Sequence, residues 1–182
     1  MTNEALDVVY DIIKTKPAEE RHILAVLVDN EFGVLNRVVG LFSARGYNIE
    51  ALTVAEVDTK KNLSRITIVT CGSQQTITQI IHLLERMVPV HKVHDLTTEG
   101  AHVERELALI KVVGKDDDRV EALRIADIFR ARSVDATTES FIFEITGASS
   151  KIDAFIELMK PLGTVEIART GAAGMARGKK GL

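Results

Sequence analysis

The chain of 182 residues has no tryptophan, one cysteine, three prolines and an aromatic content of only 4%. Each scarcity excludes something. A single thiol, Cys71, cannot form an intramolecular disulfide and fits a reducing, cytoplasmic setting. With so few rings the core must be built from Val, Ile, Leu and Ala. Charge of one sign is lacking too: the formal net charge of −3 exerts no long-range pull on nucleic acid or on an anionic membrane. No apolar run approaches the roughly 20 residues that cross a bilayer. Residues 1–20 carry acids early and lack the continuous apolar stretch of a secretory signal, and they are too acidic for an organelle transit peptide. Leu6, Val9, Tyr10 and Ile13 fall at helical spacing before Pro17, so this extension reads either as a short docked amphipathic helix or as a frayed leader.

What is present is a pattern of strands and helices that occurs twice. HILAVLV (22–28) is a near-continuous apolar run of strand length, the signature of a strand buried on both faces. A polar turn, Asp29 to Gly33, follows, with Asp29 or Asn30 as the expected helix N-cap. Val34, Leu35, Val38, Val39, Leu41 and Phe42 then recur at helical intervals, and Gly46 is a natural stop. Strands are expected over 48–57 and 63–71, a helix over 76–87 and a strand over 90–96. After a polar linker (97–103) the order returns: strand 107–113, helix 116–131, strands 133–137 and 140–146, a helix within 147–160 and strand 164–168. The predicted fold class is therefore α+β, with two tandem ferredoxin-like βαββαβ domains. The domain reading is an extension over 1–20, a first domain over 21–97, a second over 98–170 and a tail over 171–182. That tail, rich in glycine and basic residues, is expected to be flexible and to bury no core.

Catalytic chemistry finds no footing. The five histidines are scattered, no Cys/His cluster accompanies them, and they read as solvated surface residues. Asp116-Asp117-Asp118 reads as a solvated helix start. There is no G-x-S-x-G elbow, no Walker loop and no G-x-G-x-x-G after a strand, and Cys71 sits in an apolar strand pattern where thiols are inert. Catalytic residues and metal ligands are both expected to be none. RNA-recognition modules share the split order but stack bases on aromatics of the central strands, and HILAVLV and SRITIVT carry none. The turn at Gly33 reads in two ways: as a generic helix start, or as a cradle whose N–H groups at Gly33, Val34 and Leu35 hold a carboxylate. Asn30 and Asn48 can each donate and accept, which suits the two ends of a zwitterion.

The stretch RHILAVLVDNEFGVLNRVVGLFSARGYNIEALTVAEVD, then LSRITIVT, EGAHVERELALIKV and IFRARSVDAT, resembles the small regulatory subunit of acetolactate synthase over about residues 21–178. GLFSARGYNIE and GAHVERELALIKV are its most specific blocks. The resemblance implies that the first domain is an ACT domain and that the chain is not itself an enzyme. It implies a catalytic large-subunit partner bearing thiamine diphosphate, FAD and magnesium, with no cofactor in this chain. It implies a homodimer through ACT domains and feedback inhibition by valine or a related branched-chain amino acid, in the pathway to valine, leucine and isoleucine. Carried over by position, the effector would meet Asn30, Gly33, Val34 and Leu35 of one chain and Asn48 and Ile49 of the other. Phe32 departs from the Ser or Pro common there, and residues 1–20 extend beyond the usual start.

Overall fold

The computed structural model describes residues 19–179 and 181–182; the helix expected around Leu6 to Ile13 lies outside them. Two units of strand, helix, strand, strand, helix, strand follow one another. The first comprises β1 (Glu20–Asp29), α1 (Val34–Ser43), β2 (Ala51–Asp58), β3 (Leu63–Gly72), α2 (Gln74–Glu85) and β4 (Val90–Asp95). The second comprises β5 (His102–Val113), α3 (Asp116–Phe129), β6 (Arg132–Ala136), β7 (Ser140–Gly147), α4 (Ser149–Met159) and β8 (Thr164–Arg169). A short ninth strand, β9 (Ala173–Ala176), ends the order. The sheets run β2-β3-β1-β4 and β6-β7-β5-β8, all neighbours antiparallel. This is the expected tandem ferredoxin-like α+β architecture.

Strand alternation sorts the first unit into two cores. Leu24 opposes Ile68 and Val26 opposes Ile66; they face the helices and pack with Val34, Val38, Phe42, Ile77, Ile80 and Leu84. Ile23, opposite Val69, and Ala25 point to the other face. A second, small core forms there from Ile23, Ala25, Val69, Leu96 and Ala172, with Leu182 against it. β1 is therefore buried on both sides, as its unbroken apolar run requires.

The cover on that second face is the C-terminal segment, and here the structure corrects the sequence reading of a flexible tail over 171–182. Ala172 is 2% exposed and β9 pairs with His102–Arg105 of β5. Thr53 Oγ1 donates to the carbonyls of Thr170 and Ala172, and Arg65 donates to that of Gly174. The physical reason is the tail's poverty of side chains. A Cβ on Gly174 would stand 2.7 Å from Leu96 Cδ1 and 3.1 Å from Ile23 Cγ2, so only bare backbone lies this flat on the sheet.

A second correction concerns the histidines. His22 is 0% exposed, and its Nδ1 lies 2.8 Å from the buried Asp95 Oδ2. Asp95 also accepts from the Thr97 amide and the Thr98 hydroxyl. His91 pairs with Asp29 and His94 with Glu99. Among the described residues no three His, Cys, Asp or Glu are placed to hold a metal, and no helix is long and apolar enough to cross a membrane.

In the second unit Gly163 follows a 3-10 turn at φ +95°, where a Cβ would sit 2.1 Å from the Val113 carbonyl oxygen. That carbonyl belongs to the last residue of the central strand β5. Gly163→Ala should cost about 3 kcal/mol or more, read as a lowered urea midpoint with an unchanged slope.

An ionic network in the second unit reaches the first through one pair, Arg21 with Glu104. Glu106 is 5% exposed and takes a bidentate fork from Arg169 at 2.8 Å on each oxygen. Arg169 also reaches Asp153 at 2.7 Å, and the Ser149 hydroxyl bridges Glu104 and Glu106 at 2.9 Å each. Glu104 in turn takes Arg21 from the first unit. The Arg169 hydrogen bonds hold the Glu106 carboxyl below the usual glutamate range, against the opposing effect of burial. A lowered folded pKa means this contribution is complete above the ordinary glutamate pKa and drains away as pH falls through the lowered value. Glu106→Gln should destabilise by about 2 kcal/mol at neutral pH. The gap between variant and natural chain should close as denaturation is repeated at progressively lower pH below about 4.

Candidate functional site

The turn between β1 and α1 is braced by groups far off in sequence. The Asp29 amide donates to the Pro89 carbonyl at 2.8 Å, and the Asn30 amide donates to the Asn62 carbonyl at 2.7 Å. The Asn62 side chain returns a bond to the Asn30 carbonyl at 3.0 Å. Asn62 lies in the β2–β3 hairpin in the left-handed region, φ +53°. Asp29 is further held by His91 Nε2 at 2.7 Å. Neither Asp29 nor Asn30 is the N-cap expected from the sequence. The Asp29 carboxylate is taken by His91, the Asn30 backbone is held by Asn62 ahead of the helix, and the cap falls on Gly33, φ +79° and ψ 0°.

No side chain caps α1. The Val34 amide reaches the Glu31 carbonyl at 3.3 Å, and the first bond characteristic of the helix runs from Arg37 N–H to Gly33 O at 3.0 Å. Among the described residues, the amides left without a partner at this start are those of Gly33, Leu35 and Asn36. Of the three amides expected from the sequence, Gly33 and Leu35 are free and Val34 alone is engaged; Asn36 adds a further free N–H that depends on where the cap falls. These donors carry the positive end of the helix dipole. A Cβ built on Gly33 meets nothing within 4 Å, so the approach to them is open. Glu31 and Arg37 form an ion pair alongside. Phe32 projects fully into solvent beside the turn.

The structure brings Asn30, Gly33, Val34 and Leu35 together around this turn. Val34 is 6% exposed and belongs to the core, Leu35 is half-buried, and the Asn30 side-chain amide has no partner among the described residues. Asn48 and Ile49 are not part of this cluster. They follow α1, a helix of ten residues that places them about 15 Å from its start. Asn48 precedes β2 by three residues rather than opening it, and its carbonyl accepts the Thr70 hydroxyl at 2.6 Å. Ile49 is half-buried against the helix-side core.

β2 makes sense of that separation. It is an edge strand, paired only with β3, and half of its residues are exposed, Val54 at 42% and Val57 at 54% among them. Asn48 stands at its beginning. The hairpin residue Asn62, and through it the Gly33 turn, stands at its end.

Matches to known proteins follow the same division. The family description "AHAS small subunit-like ACT domain" matches residues 24–92, and "Small subunit of acetolactate synthase" matches residues 105–178. The chain belongs to the acetolactate synthase small-subunit family. It is 46% identical over 160 residues to a probable acetolactate synthase small subunit of Archaeoglobus fulgidus, covering 88% of this chain and 99% of the relative. It is 45% identical to the acetolactate synthase isozyme 3 small subunit of Escherichia coli, covering 88% and 98%. The crystal structure of the Thermotoga maritima small subunit aligns with a TM-score of 0.79 at 42% identity, covering 88% of this chain and 99% of that one. The first unit of this small subunit is thus an ACT domain.

Elsewhere, a polar cleft of about 420 Å³ between the units is lined by Arg21, Glu50, Glu106, Asp153 and Arg169. Its arginines are already engaged by carboxylates. Cys71 at its margin is inert as a nucleophile: its hydrogen bond to Glu50 and burial push the thiol up to about 11.

Proposed function

We propose that this small subunit is non-catalytic, binds and activates the catalytic large subunit of acetolactate synthase, and confers feedback inhibition by valine. Thiamine diphosphate, FAD and magnesium belong to the large subunit in this reading, and the chain needs no cofactor of its own. Its setting is cytoplasmic and its pathway leads to valine, leucine and isoleucine.

The observation that carries the effector site is the uncapped start of α1 at the far end of a free edge strand from Asn48. An antiparallel pairing of β2 with β2 of a second chain reverses the strand direction. The beginning of the partner's strand then lies beside the end of this one, which sets the partner's Asn48 and Ile49 against the Gly33 turn. The valine carboxylate takes the Leu35 and Asn36 N–H groups. The side-chain oxygens of Asn30 and of the second chain's Asn48 take the ammonium. The isopropyl group rests between Leu35 and the second chain's Ile49.

Valine then acts as a cross-link between two ACT domains. It shifts the assembly only by binding one arrangement more tightly than the other. Reconstitution tests the reading: the purified large subunit is assayed for acetolactate with and without this chain, then with valine. Stimulation that valine reverses is expected. No stimulation at saturating chain would sink it.

A further inference from the structure

A groove of about 870 Å³ runs across the helix-free face of the first sheet, beneath the C-terminal segment. The small core around Ile23 and Ala172 covers one half of that face. The other half is bare. Its floor and walls are apolar: Leu27 of β1, Val57 of β2, Leu96 and Met175. Val57 and Met175 are 54% and 64% exposed. The rim is cationic. Arg65, Arg177 and Lys179 line it against one side-chain carboxylate, Glu99, which is bonded to His94. Arg177 and Lys179 have no side-chain partner among the described residues. On a chain of formal net charge −3 this is a local reversal of sign.

We propose that this groove receives an acidic, apolar-bearing segment of the catalytic subunit and is a contact through which the small subunit activates it. The inference rests on the regulatory reading above and adds the surface. Apolar floor and cationic rim together ask for a polypeptide carrying both kinds of side chain. The groove also exceeds what a single amino acid fills. A second copy of this chain is the poorer occupant, because two-fold packing of groove on groove brings two cationic rims together. Pairing through β2 leaves the groove open: a two-fold axis normal to the sheet keeps both helix-free faces on the same side, as one surface bearing two grooves.

The test titrates the large subunit with full-length chain and reads the concentration giving half-maximal stimulation of acetolactate formation. Arg177→Glu with Lys179→Glu changes only exposed side chains and should raise that concentration about tenfold. Met175→Asp, which places a carboxylate over the apolar floor, should do so at least as strongly. Raising ionic strength should weaken stimulation by the natural chain and strengthen stimulation by the charge-reversed one, so that the two converge. Valine sensitivity at saturating chain should persist. Thermal melts confirm that each variant is folded, and the charge-reversed pair decides the matter if Met175→Asp is not. Half-maximal stimulation at the natural concentration for both variants would overturn the groove alone. So would unchanged stimulation with a changed oligomeric state by light scattering, which would assign the groove to a second copy. Failure of the natural chain to stimulate would instead overturn the regulatory reading.

Discussion

Gly33→Asp is expected to raise the valine concentration needed for half-inhibition at least a hundredfold while leaving stimulation of the large subunit intact. The reasoning combines space, conformation and charge. Nothing lies within 4 Å of a Cβ at Gly33, so the side chain is not expelled by a clash. The residue sits at φ +79°, where an L residue costs about 1 kcal/mol, and Asp bears this better than most. The fold therefore survives. The new carboxylate stands at the helix start and competes for the Leu35 and Asn36 N–H groups that the proposed site offers to valine's carboxylate. It also repels that carboxylate in a partly desolvated site. A hundredfold change corresponds to about 2.7 kcal/mol, within the range of losing two charge-assisted hydrogen bonds. Calorimetric titration of the small subunit with valine separates lost binding from lost coupling. Undiminished binding would remove the turn from the site.

Val54→Lys should show the second large effect, on assembly. Val54 lies near the middle of β2, 42% exposed, on a strand whose outer edge is unpaired. Antiparallel self-pairing about the middle of β2 brings Val54 and its copy close together, so a lysine there sets two like charges across the axis. Exposed edge lysines are also a common natural device against strand pairing. Dimer dissociation should become at least tenfold easier by equilibrium sedimentation, and valine inhibition should fall in parallel, because half of each site leaves with the partner. The melting temperature of the isolated chain should change little, since Val54 contributes little to the core. Loss of the dimer with full valine sensitivity would contradict a shared site.

Much of this was legible in the sequence. The order of elements was, because each strand and helix carries its own apolar period. The burial of β1 on both faces followed from HILAVLV. What covered the second face did not, since a tail of glycine and alanine has no apolar period; it packs by letting backbone approach Leu96 and Ile23. His22 misled for a similar reason. Its partner, Asp95, lies 73 residues away, and nothing local marks the pair. At the site itself Gly33 stood out from the start, because a glycine before an amphipathic helix has conformational and steric consequences that need no tertiary context. The cap falls on Gly33 because Asn62, 32 residues from Asn30, holds the Asn30 backbone three positions ahead of it, a placement no local pattern expresses. Asn62 also gives the β2 edge and the turn a common brace, a link the sequence pattern had no means of expressing.

The most direct test of a site shared between two chains is complementation. Gly33→Asp and Asn48→Ala chains are prepared separately, and each should bind valine weakly or not at all. When the two are unfolded and refolded together, a mixed dimer carries both defects in one site and neither in the other. Calorimetry of an equal mixture should recover strong binding at about a quarter of the natural number of sites, the share expected for random pairing in a two-fold dimer. A mixture that binds valine no better than its two parents, although mixed dimers are present, would contradict the account.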